Sequence, residues 1–170
     1  MLFVGKNLLA IRPATLADLS AITEIYNDAI LHTTATFDTQ PKTLEEQNVW
    51  FANHGSKYPV LVAEDEGKVL SWASLSKWSN RCAYSDTAEV SLYVRKEYRR
   101  QGIGRQLLKA LILEGEKVHL HTLIALITEG NEPSINLFKS EQFQTVGVMR
   151  EVGRKFGGLL DVRILQKIYK

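Results

Sequence analysis

Residues 88–108 read AEVSLYVRKEYRRQGIGRQLL, and the reading of this stretch decides the fold. It opens on a strand-like apolar run and closes on a helix-like one. Between them stand Gly102 and Gly104, one residue apart, with arginines on both sides. A strand-to-helix turn of this kind presents successive backbone N–H groups, with the positive end of the helix behind them. Glycine lets the main chain approach an anion closely and adopt positive φ, and arginine adds charge-assisted hydrogen bonds. Arg99, Arg100, Gln101, Gly102, Ile103, Gly104 and Arg105 therefore suit a phosphate carrier. On spacing alone, an ordinary glycine turn with solvated arginines stays open.

Working outward, the pattern predicts eleven elements. NLLAIRPA is a strand closed by Pro13. Thr15 and Asp18 read as a capping box for a helix carrying Leu16, Leu19, Ile22, Tyr26, Ala29 and Ile30 at helical spacing. After the polar loop HTTATFDTQP, Thr43 and Glu46 form a second capping box, and that helix stops near Gly55. The period then changes. VLVAE and KVLSWASLSKW make a hairpin about Asp65-Glu66-Gly67, and AEVSLYV joins the sheet after the loop SNRCAYSDT. A helix runs from about Gly104 to Val118. HTLIALIT reads as a buried strand, Pro133 begins a short helix, and FQTVGVMREV and DVRILQKI flank a Gly-rich loop. The order β-α-α-β-β-β-α-β-α-β-β predicts one α/β domain over residues 1–170, its sheet mostly antiparallel, with helices on its faces.

Two phosphate motifs fail on this order. A dinucleotide fingerprint needs a third glycine where Leu107 stands, early in a βαβ unit. A P-loop needs Lys and a hydroxyl after its second glycine; Gly153 and Gly158 have the spacing, but Leu159-Leu160 follow. Ser-His-Asp hydrolysis lacks its G-x-S-x-G elbow. His119 and His121 have no nearby cysteine or carboxylate cluster, so no metal site is expected.

The bulk composition narrows the setting. The chain's 21 Lys and Arg against 19 Asp and Glu imply no general attraction for nucleic acid or membrane. No apolar run approaches the ~18–20 residues that span a bilayer. The opening MLFVGKNLLAIRP lacks a small-residue cleavage site, so no signal peptide is expected. The single cysteine, Cys82, suits a reducing cytoplasm.

Three ordered blocks carry a resemblance: AEVSLYV, then Arg99-x-x-Gly102-x-Gly104, then Asn131-x-x-Ser134 opening the later helix. Together they resemble the GNAT N-acetyltransferase superfamily, whose loop pattern is R/Q-x-x-G-x-G/A. YNDAILHTTATFDTQP, KWSNRCAYSDTAEVSLYV and VGRKFGGLLDV are similar to its phosphinothricin and methionine-sulfoximine acetyltransferases. The resemblance implies the GNAT-like mixed sheet, splayed at the acyl-CoA site, acetyl-CoA as co-substrate, and a homodimer acetylating the amino group of glutamate-like compounds. It implies that the loop holds the CoA pyrophosphate, that Leu92, Tyr93 and Val94 pair with the pantetheine arm by strand addition, and that Asn131 faces that arm or its thioester end, with Ser134 also at the cofactor. Glu89, where the family places its catalytic glutamate, would be the general base, because an ammonium has no lone pair for attack. Phe37 and Trp78 would wall the acceptor pocket, and Arg81 and Tyr84 would fix a carboxylate.

The chain departs from the pattern at three positions. Phe138 stands where many members carry a tyrosine general acid, so the thiolate leaves unassisted or takes a proton from water, Tyr93 or Tyr84. Gln142 replaces a glycine after the later helix, and Leu159 a tryptophan in the last loop. Alternatives to an amino-acid acceptor are a polyamine, a protein N-terminus, or a non-catalytic acyl-CoA sensor.

Overall fold

The computed structural model describes residues 9–170; the beginning of the first expected strand lies outside them. The described elements run β1 (Ala10–Pro13), α1 (Leu19–His32), α2 (Leu44–Ala52), β2 (Val60–Asp65), β3 (Lys68–Lys77), β4 (Thr87–Val94), α3 (Ile103–Lys117), β5 (Thr122–Thr128), α4 (Glu132–Ser140), β6 (Gln144–Lys155) and β7 (Gly158–Ile168). The order matches the expected α/β plan.

The sheet has seven strands in the order β1-β2-β3-β4-β5-β7-β6. All neighbours are antiparallel except β4 and β5. That parallel pair is short: Thr87, Ala88 and Glu89 face Thr122, Leu123 and Ile124, and the pairing ends there. Beyond Glu89 the two strands part, and the gap is the origin of the site.

Local chemistry accounts for the elements. Both capping boxes form: Thr15 N–H donates to Asp18 Oδ2 at 2.7 Å, and Thr43 N–H to Glu46 Oε2 at 2.7 Å. The first opens as a single 3₁₀ turn before α1, and Leu16 points outward, 68 % exposed, instead of joining the core. Asp18 is held by more than its cap, since Arg12 donates to both its carboxylate oxygens at 2.8 and 2.9 Å. The Asp18 carboxyl therefore lies below its usual range. The β2–β3 hairpin turns on Glu66 and Gly67, both at positive φ, the two-residue geometry that follows strand twist.

One expectation needs correcting. The Gly-rich segment near residue 155 is not a loop. β6 continues to Lys155 and β7 begins at Gly158, joined by a two-residue turn at Phe156-Gly157 with φ of 50° and 79°. A bulge between Met149 and Gly153 breaks the strand alternation that would have revealed it.

Helices cover both faces. α3 and α4 pack Leu107, Leu108, Leu111, Ile135 and Phe138 on one face. α1 packs Leu19, Ile22 and Ile25 on Val60, Val62 and Trp72 of the other.

Candidate active site

The parting of β4 and β5 opens a cleft of about 1210 Å³. Strand parity determines what enters it. Arg95 N–H donates to Leu70 O across to β3, so by alternation Tyr93 also turns its main chain to β3. Leu92 and Val94 turn theirs the other way, into the gap. The Val94 carbonyl is taken by Arg99 Nε at 3.1 Å, and the N–H groups of Leu92 and Val94 and the Leu92 carbonyl face the gap with no β5 partner among the described residues. Side chains follow the same period: Glu89, Ser91 and Tyr93 share the α1–α2 face, and Leu92 packs with Val90 on the α3 side.

The loop from Arg95 brings the glycines to the mouth. Gly102 caps α3 in the left-handed region, φ 82° and ψ 0°, which glycine adopts without strain. Gln106 N–H is the first of the helix to bond within it, to Gly102 O at 3.2 Å. The N–H groups of Ile103, Gly104 and Arg105 are left over, three aligned donors at a helix N-terminus. Arg99, Arg100, Gly102, Gly104 and Arg105 line the cleft, whereas Gln101 and the buried Ile103 side chain do not. Arg105 is already paired to Glu141 at 2.8 Å. Across the gap Asn131 caps α4 by accepting from Ser134 N–H at 3.4 Å, and both residues line the cleft.

Glu89 lies at the apex, where the parallel pairing stops. Burial raises its carboxyl above the usual value, and no cation is among the influences on it. Its cross-strand neighbour Ser76 offers no compensating donor. His54 Nδ1 lies 2.8 Å from Trp50 O, which can only accept, so Nδ1 carries the proton. Burial lowers the imidazole's pKa and so favours the neutral ring, whose Nε2 accepts from Ser76 Oγ at 3.0 Å. The serine proton points to His54, away from Glu89.

The loop after α1 closes the α1–α2 side. Thr128 Oγ1 donates to Thr34 O at 2.5 Å, and Lys155 Nζ to Thr36 O at 2.7 Å. Phe37 lies against Gly153 so closely that a Cβ there would stand 2.1 Å from the ring. Phe37 lines the cleft. Trp78, Arg81 and Tyr84 do not line it. They belong to the 78–86 loop, which leaves β3 at Lys77 and re-enters β4 beside Glu89. Of the two tyrosines considered as proton donors, Tyr93 lines the cleft and Tyr84 lies outside it, exposed. Phe138 is buried against Phe143, ring centroids 5.0 Å apart.

Sequence reasoning missed Tyr26. It falls on the apolar stripe of α1 and looks like core, yet it borders the cleft and donates to Asp38 at 2.6 Å. Residues 125–130 along the free edge of β5 were also missed; only the end of the β4–β5 pairing marks them.

The description of the acetyltransferase (GNAT) family fits residues 21–142, which hold the splayed strands, the glycine turn and the Asn131 helix. The chain belongs to the GNAT acetyltransferase family. Its GNAT relatives extend over nearly the whole chain. An L-methionine sulfoximine/L-methionine sulfone acetyltransferase of Pseudomonas paraeruginosa is 42% identical over 159 residues, 92% of each chain. The ribosomal-protein-alanine N-acetyltransferase of Brucella melitensis superposes with a TM-score of 0.92 at 42% identity, covering 95% of this chain and 100% of that one. A GNAT phosphinothricin acetyltransferase from Sinorhizobium meliloti, solved in complex with AcCoA, gives 0.91 at 35% identity over 94% and 88%. No helix among the described residues is long and apolar enough to cross a membrane.

Proposed function

We propose that the chain is an acetyl-CoA-dependent N-acetyltransferase whose acceptor is the amino group of a small amino acid or analogue, of the methionine sulfoximine or phosphinothricin kind. One observation carries the reading: free main-chain groups of β4, three free N–H groups at the start of α3 and a half-buried carboxylate meet in one cleft. The donors fit a pyrophosphate, and the β4 edge fits an extended amide-bearing arm that adds to it as a strand.

Acetyl-CoA supplies the thioester carbon that the amine attacks. Glu89 takes the ammonium proton, directly or through one water; the nitrogen then forms the N–C bond as the C–S bond breaks, and the proton it sheds on becoming an amide goes to water or to the departing thiolate. Leu92 or Val94 N–H donates to the carbonyl oxygen as charge develops there. With a thiol pKa near 8.5, CoA leaves as a thiolate with little need of an acid; Phe138 has no proton to give, and Tyr93, whose phenol burial pushes up, is the hydroxyl at hand. The 78–86 loop, carrying Trp78, Arg81 and Tyr84, stands beside Glu89 and closes on the acceptor carboxylate through Arg81.

The same reading makes the protein a cytoplasmic homodimer. Val146, Val152, Phe156 and Leu159 of the β6–β7 hairpin are exposed and apolar, a surface suited to a second copy. Sedimentation at micromolar concentration reads its mass.

The deciding experiment measures CoA thiol release with free amino acids and with peptides. Turnover on methionine sulfoximine or methionine sulfone supports the reading. Turnover confined to peptides favours the activity in the name of the Brucella neighbour.

A further inference from the structure

The loop between α1 and α2 crosses the parted sheet. α1 packs on β2 and β3, in the half of the sheet that ends at β4. The other half runs β5-β7-β6. Residues 33–37 leave the end of α1 and line the cleft one after another. Both ends of the loop return to α1. Thr33 Oγ1 donates to Ala29 O at 2.8 Å, and the Asn27 amide bonds the Lys42 main chain at 2.7 and 2.9 Å. The middle of the loop is tied to the far half of the sheet.

Two side chains make that tie. Thr128 of β5 donates to Thr34 O at 2.5 Å, and Lys155 of β6 donates to Thr36 O at 2.7 Å. β7 lies between these two strands, so the loop spans it as a strap. Gly153 precedes Lys155 by two residues and shares its face of β6. Its lack of a side chain is what lets the Phe37 ring rest there. One face of β6 thus fixes a carbonyl of the strap and seats the aromatic ring beside it.

Lys155 shows that the tie serves placement more than stability. The residue is 5 % exposed, and among the described residues its hydrogen bond is to Thr36 O alone. Burying an ammonium against one carbonyl is costly, and an apolar side chain of similar volume would serve stability as well. What the lysine supplies is a fixed position for Thr36, and through it for Phe37.

We propose that Lys155 and Thr128 are positioning residues for the acceptor: they hold the 33–37 strap across the gap and so fix the Phe37 wall. Each acts through a main-chain carbonyl of the strap. The inference rests on the N-acetyltransferase reading above.

The test removes each donor while keeping its bulk, in Lys155→Met and Thr128→Val, and adds Thr128→Ser, which keeps the hydroxyl. CoA release is measured with L-methionine sulfone and acetyl-CoA each varied in turn. Lys155→Met and Thr128→Val should each raise the acceptor KM about tenfold, as for a displaced positioning group, with kcat and the acetyl-CoA KM within about threefold of wild type. Thr128→Ser should stay near wild type. In the double variant the rise should fall short of the product of the two, because both free one strap. A lower melting temperature with an unchanged acceptor KM, a fall in kcat with KM unchanged, or a Thr128→Ser variant as impaired as Thr128→Val overturns the positioning role. Hydrogen exchange reads the strap without turnover. The Ala35 and Asp38 amides, held by the Thr33 and Thr36 hydroxyls, should exchange about fivefold faster in Lys155→Met and Thr128→Val, the loss of one hydrogen bond. Unchanged exchange overturns the strap whatever the activity. Faster exchange in a protein that turns over no amine keeps the strap and overturns the N-acetyltransferase reading, and the acceptor role with it.

Discussion

Replacing Glu89 by glutamine keeps the shape of the apex and removes both its charge and its basicity. The acceptor arrives as an ammonium. With a pKa between about 8, as for an α-amino group, and about 10.4, as for lysine, its neutral fraction at pH 7 is between roughly one in ten and one in 2,500. A positioned base contributes about 10²–10⁴-fold, so Glu89→Gln should lower kcat/KM at pH 7 by at least about 100-fold. The pH profile should change shape as well. The wild-type profile should have an acid limb displaced upward, because burial raises the Glu89 carboxyl and Ser76 gives its proton to His54. The variant has no such limb and should climb about tenfold per pH unit toward the acceptor's own pKa. CoA release measured from pH 6 to 9.5 reads both. A variant within about threefold of wild type at pH 7, or one displaced equally at every pH, would refute the assignment.

Stability supplies a second readout of opposite sign. A carboxyl whose folded pKa lies above its unfolded value binds more protons in the folded chain between the two. Its contribution is then fully present below the unfolded pKa and lost as pH rises through the folded one. Above the folded pKa the penalty of the partly buried charge is in force, and glutamine does not carry it. Glu89→Gln should therefore melt higher than wild type at pH 7, with the difference closing toward pH 4. Lower activity with higher stability is the signature of a strained functional group.

The two glycines of the turn should separate. Gly102→Ala forces a side chain into the left-handed region, at about 1–2 kcal/mol, and should weaken acetyl-CoA binding at least tenfold by calorimetry. At Gly104 an added Cβ meets Val94, Leu92 and Leu137 at ordinary contact distances of 3.4 to 3.6 Å. Gly104→Ala should keep binding within about threefold and gain up to about 1 kcal/mol of helix stability; equal losses in both variants would contradict the cradle. Tyr26→Phe removes the donor to Asp38, a charged-acceptor bond worth about 1.5–3 kcal/mol, and should lower the melting temperature and raise the acceptor KM together. Gly153→Ala must evict the Phe37 ring. The half-exposed ring can leave, so the acceptor KM should rise on the order of tenfold, as for a misplaced positioning group, with little change in melting.

Much of the fold was legible because its signals are local. A capping box is satisfied within four residues, and both boxes form. The Glu66-Gly67 turn and the left-handed Gly102 need only their own backbone. The misreadings come from partners far along the chain. Leu16 has helical spacing but faces solvent, because the first turn is 3₁₀ and Arg12 holds Asp18. The last hairpin carries a bulge and a non-glycine residue, Phe156, at positive φ, so neither alternation nor turn chemistry announces it. The site divides in the same way. The glycine turn is contiguous, and its place at the cleft mouth was legible. Tyr26 was not, because its cleft exists only where β4 and β5 part. The pocket residues expected from resemblance divide too, with Phe37 at the cleft and Trp78, Arg81 and Tyr84 on the neighbouring loop.

The parting of those strands lets one strand present a carboxylate and free main-chain groups to the same cleft. Along β4, side chains alternate between faces, and main-chain groups alternate between edges. Odd positions send Glu89, Ser91 and Tyr93 to the acceptor face and bond their backbones to β3. Even positions turn the backbones of Leu92 and Val94 to the open edge and their side chains to the α3 face, where the Gly104 turn waits. The Glu89 carboxylate and the open β4 edge, the base and cofactor edge proposed above, are thus set by a single register. A one-residue slip would bury Glu89 under α3 and turn the Leu92 and Val94 main chains to β3, removing base and edge together. The register is held by hydrophobic demand: Ala88 and Val90 are buried on the even face, and Trp72 and Tyr93 stack, centroids 5.1 Å apart, on the odd one. The packing that stabilises the sheet is therefore what places the carboxylate beside the free main-chain groups.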